Sequence, residues 1–127
     1  QDFIYGYFLT PGHTVGGCCY YFPYQNTLFS GDSLFQTSIG RTDFPKGSAS
    51  QLIHAIGKNL MPLPDETAVY TGHGDMTTIG TERMYNHIYN RLTMQKISSV
   101  KKTFIKIGNT ARKGKQYDIS KVKQAGI

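Results

Sequence analysis

The sequence has no long apolar run and almost no cysteine, and each absence excludes a class of protein. No segment approaches the roughly 20 consecutive apolar residues that a helix needs to cross a bilayer. The only cysteines, Cys18 and Cys19, are adjacent, a spacing that strains a disulfide, so two structural thiols are expected instead of a disulfide framework. No basic and then apolar signal-peptide pattern follows Gln1, and we expect a cytoplasmic protein.

Acidic residues are nearly absent from the last quarter of the chain. Residues 1–95 carry five basic and seven acidic residues, whereas residues 96–127 carry nine Lys or Arg and only Asp118. We therefore divide the chain into a domain, 1–95, and a basic tail, 96–127. The charge of the tail suits nucleic acid or an acidic surface. A solvated terminus is the preferred interpretation, because the aromatic residues that stack on bases are nearly absent there.

Three polar side chains each lie in a glycine-containing turn at the end of an apolar, strand-like run. His13 lies in the string TPGHT, Asp32 in FSGDSLF and His73 in TGHG. Imidazole nitrogen and carboxylate oxygen are usual donors for zinc, iron or manganese, and glycine allows the sharp turn that brings a side chain to the rim of a sheet. One such histidine is more often an ordinary surface or core residue. The repetition of the context predicts a metal site in which the three side chains cluster.

The apolar patterns predict one small mixed or antiparallel sheet with two helices on one of its faces. Strands are expected over residues 3–9, 18–22, 27–30 and 67–70, with a weaker strand pattern over 100–107. Helices are expected over 51–61, with Ser48 or Ser50 as the cap, and over 79–92, with Thr78 or Thr81 as the cap. Residues 31–47 lack periodicity and predict a loop with one short helical turn.

The strings TPGHT, FSGDSLF and TGHG, in this order, resemble the later motifs of the metallo-β-lactamase superfamily, and within it those of glyoxalase II-type hydrolases. The strings SIGRTDFP and TIGTE extend the resemblance over residues 3–92. The first metal motif of that family, His-x-His-x-Asp-His, is absent from this sequence. The resemblance therefore implies an α/β chain that is the C-terminal half of an αββα sandwich, as a truncated or processed product would be.

The resemblance also implies a chemistry. The intact fold holds two divalent metals, zinc first and iron or manganese as alternatives. His13 would serve one metal, His73 the other, and Asp32 would bridge them as the catalytic residue, with four further ligands from the N-terminal half. A hydroxide shared by the metals would attack a thioester such as S-lactoylglutathione. A serine nucleophile is not expected, since the sequence has no Gly-x-Ser-x-Gly string.

Two hypotheses follow for the chain itself. It is a metallo-hydrolase that acts once the N-terminal half is present, or it is a non-catalytic half-domain that packs against a partner or against itself. The intact His13, Asp32 and His73 favour the first, and the missing motif favours the second for the isolated chain. Arg41 and Asp43 follow Asp32 closely, and they are expected either to contact substrate near the metals or to pair and fix their own loop.

Overall fold

The structure, a computed structural model, describes residues 4–112 and consists of seven strands and three helices. The strands are β1 Gly6–Leu9, β2 Cys18–Phe22, β3 Thr27–Gly31, β4 Leu34–Phe35, β5 Ser38–Ile39, β6 Ala68–Thr71 and β7 Thr77–Thr78. The helices are α1 Ala49–Ala55, α2 Ile79–Tyr85 and α3 His87–Arg112. Five strands form one mixed sheet in the order β1-β2-β3-β6-β7, and β4 and β5 form a separate hairpin. The predicted mixed α/β architecture is confirmed.

Only one face of the sheet is buried. Cys19, Leu28 and Val69 lie on that face and are fully buried, together with the apolar side of α1, as the predicted helix stripe requires. Cys19 is buried while Cys18 is half-buried, which agrees with adjacent residues of a strand pointing to opposite faces. Burial raises the pKa of the Cys19 thiol, so it stays protonated and fits a structural role better than a metal ligand.

The opposite face carries a patch that we call the aromatic face. Its rings are 44–63% exposed: Tyr5, Tyr7, Tyr20, Phe29 and Tyr70. The cross-strand register places them side by side, because Tyr20 pairs with Tyr7 and Phe29, and Phe29 pairs with Tyr70. The rings of Phe29 and Tyr70 stack with centroids 5.5 Å apart. One face of the sheet is therefore buried, and the rings of the other face are largely exposed.

The first predicted helix is confirmed with its cap. Ser48 accepts a hydrogen bond from the Gln51 backbone N–H at 3.2 Å, and α1 then buries Leu52 and Ile53. A π-helical turn, Ile56–Leu60, continues it, so the helical segment ends near the predicted residue 61. Thr78 likewise caps α2 by accepting from the Thr81 N–H at 3.2 Å.

Three expectations about local structure are wrong. The single helix over 79–92 is two helices, because Asn86 has an extended ψ of 90° and its side chain bonds the β4–β5 hairpin instead. Residues 34–39 form that hairpin where a loop was expected. Residues 100–107 are helical within α3, not a strand. Lysine-rich sequence favours a helix, which satisfies its own backbone hydrogen bonds without a neighbouring strand.

The chain divides into two compact units, Gln1–Asn90 and Arg91–Ile127. The second unit is described only through α3, which covers the first part of the predicted basic tail; residues 113–127 of that tail lie outside the described residues. The domain boundary at residue 95 stays a prediction. Among the helices of residues 4–112, none has the length and apolarity needed to cross a membrane.

Candidate metal centre

The three predicted donors follow three strands that run in the same direction. β1 and β3 are both antiparallel to β2, and β3 is parallel to β6. The carboxyl ends of β1, β3 and β6 therefore lie at one end of the sheet. His13, Asp32 and His73 come within a few residues of those ends. The strand order thus explains why side chains far apart in sequence meet.

The structure brings the three side chains together around the carboxylate of Asp32. His73 Nδ1 lies 2.8 Å from Asp32 Oδ1, and His13 Nε2 lies 3.5 Å from Asp32 Oδ2. The side chains are 21% exposed for His13, 38% for Asp32 and 79% for His73, so one wall of the cluster is open. The predicted cluster is present. The role of these residues as metal ligands stays a prediction.

The imidazole of His13 is oriented by a backbone carbonyl. Its Nδ1 lies 2.8 Å from the carbonyl oxygen of Arg41. Because a carbonyl only accepts hydrogen bonds, Nδ1 carries a hydrogen, and in the neutral imidazole the lone pair is then on Nε2, which faces Asp32. A metal-ligating histidine commonly has such a partner for its second nitrogen.

Two glycines allow the turns to approach Asp32 closely. A Cβ added to Gly72 would lie 2.7 Å from Asp32 Oδ1, and one added to Gly40 would lie 1.8 Å from the Asp32 carbonyl oxygen. Both distances are shorter than a carbon atom can approach an oxygen atom without displacement. The glycine beside His73 is therefore required by space at the carboxylate, and Gly40 by space at the backbone of the Asp32 turn.

Hydrogen bonds between side chains join the turns beneath the donors. Thr10 Oγ1 lies 2.6 Å from Ser33 Oγ, and both side chains are buried. Thr10 precedes His13 by three residues and Ser33 directly follows Asp32, so this bond ties the first turn to the second. The sequence marks both residues only as neighbours of the donors, and nothing in it indicates that they bond each other.

Aromatic rings that the sequence analysis did not assign to the site pack on the imidazoles. Phe44 approaches His13 edge-on with ring centroids 5.3 Å apart, and Phe35 approaches His73 edge-on at 6.0 Å. Phe35 lies in the string FSGDSLF with Asp32, and Phe44 lies in the string SIGRTDFP that follows it; these positions are the signal that could have found them.

Arg41 and Asp43 form a bidentate pair. Arg41 Nε lies 2.8 Å from Asp43 Oδ1 and Nη2 lies 3.1 Å from Oδ2. The guanidinium hydrogen bonds hold the pKa of the Asp43 carboxyl below its usual range. Arg41 also lies over the Phe44 ring, 4.6 Å from its centroid. The alternative in which this pair fixes its own loop is thus present in the structure, and substrate contact stays a prediction.

An open cleft of about 700 Å³ adjoins the cluster, lined by His13, Thr14, Val15, Phe44, Pro45 and Lys46. Its walls are mainly apolar, with one ammonium group at the edge. A smaller cavity of about 180 Å³ includes both His13 and Asp32. The cluster therefore lies beside a space large enough for a small organic molecule.

The three side chains do not by themselves form a complete metal site. Within residues 4–112, no group of three His, Cys, Asp or Glu side chains is arranged to hold a metal ion. Each imidazole instead faces a different oxygen of Asp32. A carboxylate can offer one oxygen to each of two ions, and nitrogen with oxygen donors suits zinc, iron or manganese. Each ion would still need ligands beyond these three side chains.

Comparisons with known proteins agree on one family. The family model described as the metallo-beta-lactamase superfamily matches residues 2–73. The hydroxyacylglutathione hydrolase GloC of Haemophilus influenzae is 45% identical over 80 residues, which cover 63% of this chain and 38% of that protein.

Two solved structures have the same fold over two thirds of this chain. The crystal structure of BLEG-1 B3 metallo-beta-lactamase is 47% identical with a TM-score of 0.65, and the match covers 67% of this chain and 41% of that one. The crystal structure of TTHA1623 in a di-iron-bound form is 39% identical with a TM-score of 0.63 and covers 68% and 43%. The chain thus spans about two fifths of the length of the proteins it matches.

Proposed function

The chain belongs to the metallo-β-lactamase superfamily, a group of metallo-hydrolases, and from that membership we propose that it supplies one half of a two-metal centre that hydrolyses thioesters. The observation that carries the proposal is the carboxylate of Asp32 with one imidazole at each oxygen. Two ions that shared this carboxylate would each bind one of its oxygens and one imidazole.

Each side chain has a distinct task in the proposed centre. His13, with its hydrogen on Nδ1, would offer Nε2 to one metal, and His73 would serve the other. Asp32 would be the ligand common to both, and zinc, iron or manganese would suit the set. When bound, the metal pair lowers the pKa of a water toward neutrality and places positive charge where the carbonyl oxygen becomes negative. The remaining ligands come from outside this chain.

The proposed substrate is a thioester of the acyl-glutathione class, such as S-lactoylglutathione. The cleft beside His13 offers apolar walls from Val15 and Phe44 and a cation, Lys46, for a carboxylate of the thiol portion. A thiolate leaves without a strong general acid, and none of the residues in the cluster needs to act as one. The name of the Haemophilus influenzae relative supports this class of substrate.

Zinc titration of the chain tests the centre directly. We expect the wild-type chain to bind Zn²⁺ weakly, and Asp32→Asn or His13→Ala to weaken that binding by at least roughly tenfold, since even partners of metal ligands contribute this much. His54→Ala is the matched control, because His54 lines a separate cleft with Pro11 and Lys58. Equal affinity of all four proteins for Zn²⁺, by calorimetry and elemental analysis, would refute the assignment.

The aromatic face supports what both hypotheses require, that the chain packs against a partner or against a second copy of itself. Exposed apolar patches mark interfaces, and a sheet with one covered face needs a second layer. The strand positions of this face carry no charged side chain within the described residues. We propose the N-terminal half of the fold as the occupant, which would bring its own sheet against these rings and its ligands against Asp32. Self-association of the chain is the competing occupant.

Phe29→Lys is expected to weaken the association of this chain with a separately expressed N-terminal part of the Haemophilus influenzae relative by at least about tenfold. Phe29 lies at the centre of the aromatic face, 45% exposed, and a buried ammonium there would lack a partner. Tyr24→Lys is the control, since Tyr24 is 75% exposed and lies in the turn between β2 and β3, outside the strands of the face. Sedimentation velocity measures both. A stable dimer of the chain that excludes the N-terminal part would show that self-association prevails.

A further inference from the structure

Glu82, in α2, is a fully buried carboxylate that three donors satisfy. Its Oε1 accepts from the Thr37 backbone N–H at 2.7 Å and from Asn86 Nδ2 at 2.9 Å, and its Oε2 accepts from the Thr77 hydroxyl at 2.6 Å. Within residues 4–112, no cationic side chain pairs with it. A buried carboxylate is costly unless such donors surround it, so this one is held in a defined position.

These hydrogen bonds hold the β4–β5 hairpin. Thr37, in its turn, has a φ of 59°, a left-handed conformation that a β-branched residue rarely adopts. Asn86, also fully buried, donates through Nδ2 to the carbonyl oxygen of Ser38 at 3.0 Å and more weakly to that of Phe35 at 3.4 Å. Glu82 and Asn86 therefore fix the hairpin from the side of α2, at both strands and at the turn.

The hairpin contacts all three candidate ligands. Phe35, in β4, packs its ring edge on His73 with centroids 6.0 Å apart. Gly40, directly after β5, donates its N–H to the Ser33 carbonyl and packs against the Asp32 carbonyl oxygen. The next residue, Arg41, supplies the carbonyl that orients His13 at 2.8 Å.

We propose that Glu82 and Asn86 are positioning residues that set the geometry of the metal centre through the β4–β5 hairpin. The proposal rests on the proposed function for the role of the centre, but the positional part concerns the metal-free chain alone. Among the described residues, no hydrogen bond or ion pair joins either residue to His13, Asp32 or His73. Their effect on metal binding would therefore pass through Phe35, Gly40 and Arg41.

Three substitutions separate positioning from general stability. Glu82→Ala removes the acceptor of the Thr37 N–H. Glu82→Gln keeps an oxygen that accepts from the Thr37 N–H, and its amide N–H can donate to the Thr77 hydroxyl in place of the present bond. We therefore expect this variant to keep the hairpin in its wild-type position. Asn86→Asp keeps the oxygen that accepts from the Tyr89 N–H at the start of α3 but loses the donors to the hairpin carbonyls. It also replaces the donor to Glu82 Oε1 with a second buried carboxylate, which further weakens the hold on the hairpin. Glu66→Ala is the control, since Glu66 is an exposed carboxylate.

Nuclear magnetic resonance of the metal-free chain gives the first readout. For Glu82→Ala and Asn86→Asp we expect at least roughly tenfold faster hydrogen exchange at the Thr37 amide and loss of the Phe35–His73 ring contact, because a charge-assisted hydrogen bond is removed. The amides of Leu28 and Val69, in the central strands, should stay protected. Glu82→Gln and Glu66→Ala should resemble the wild type.

Zinc titration gives the second readout, with an expected loss of about 10–100-fold in affinity for the two disruptive variants only. A uniform loss of protection at Thr37, Leu28 and Val69, or an unchanged Phe35–His73 contact in both variants, would overturn the positioning role. Should Glu82→Ala fail to fold, Asn86→Asp and Glu82→Gln still decide. If the wild type binds no Zn²⁺, the proposed function fails, while the ring contact still tests the positioning of the hairpin.

Discussion

A chimaera that joins this chain to the N-terminal part of the Haemophilus influenzae relative is expected to hydrolyse S-lactoylglutathione, at a rate at least about 100-fold above that of the isolated chain. The reason is the number of ligands. His13, Asp32 and His73 leave two metals short of protein donors, and an ion held by one histidine and a shared carboxylate binds far more weakly than one with three protein ligands.

Asp32→Ala in the same chimaera is expected to abolish most of this activity, by more than about 100-fold, because it removes the ligand common to both metals. Glu66→Ala, an exposed carboxylate away from the cluster, should leave the rate unchanged. Steady-state assays with added zinc, iron or manganese measure each protein. Turnover by both the isolated chain and its Asp32→Ala variant at about 1–1000 per second, the range typical of enzymes, would contradict the site and the half-enzyme interpretation together.

The same assay decides the substrate class. One of the matched structures is that of a B3 metallo-beta-lactamase, so a chromogenic β-lactam is the natural competitor substrate. We expect the chimaera to prefer the thioester, since the cleft beside His13 presents an ammonium, Lys46, that suits a glutathione carboxylate. A preference for the β-lactam would retain the metal centre and reject the thioester proposal.

Gly40→Ala is expected to destabilise the chain by about 1–3 kcal/mol, the usual range for overpacking a well-packed site. The added Cβ would lie 1.8 Å from the Asp32 carbonyl oxygen and 3.2 Å from His13 Cβ, so the backbone has to move. At this chain length the loss corresponds to a melting temperature lower by roughly 3–12 °C. The displacement also reaches Arg41, whose carbonyl orients His13, and zinc affinity should fall with stability.

Gly6→Ala is the matched control for this substitution, because a Cβ there meets no atom within 4 Å. Thermal unfolding followed by circular dichroism compares the two variants with the wild type. A melting temperature for Gly40→Ala within about 1 °C of that for Gly6→Ala would show that the Asp32 turn can move to admit the methyl group without loss of stability. That result would contradict the close packing of Gly40 against Asp32.

Much of the local structure could be predicted from the sequence because its signals are local. The glycine-turn strings identified His13, Asp32 and His73 as a set, and the structure brings them together. The serine cap and apolar stripe predicted α1, and the alternation of Cys18 and Cys19 predicted one buried thiol. These features depend on neighbours within one turn or strand, which the sequence displays directly.

Other features depended on contacts between distant segments. The extended Asn86 breaks a helix whose apolar pattern is continuous, because its side chain bonds hairpin carbonyls some 48 residues away in sequence. The hairpin itself has no strand periodicity, and its turn residue, Thr37, is held in a left-handed conformation by Glu82. Lysines are interspersed with apolar residues over 100–107, a pattern typical of a strand, but the segment is helical. Within the described residues, no strand pairs with it.

The sequence by itself determined which side chains are suited to bind metal and which local turns hold them. Only the tertiary structure decided that these turns meet, since that depends on β1, β3 and β6 running in one direction in a mixed sheet. It also decided that Asp32 presents one oxygen to each histidine and that Glu82 of α2 bonds the turn of the β4–β5 hairpin. The ability of a side chain to bind metal depends on that residue alone. Whether three such side chains meet depends on the order and direction of the strands, which no local sequence pattern encodes.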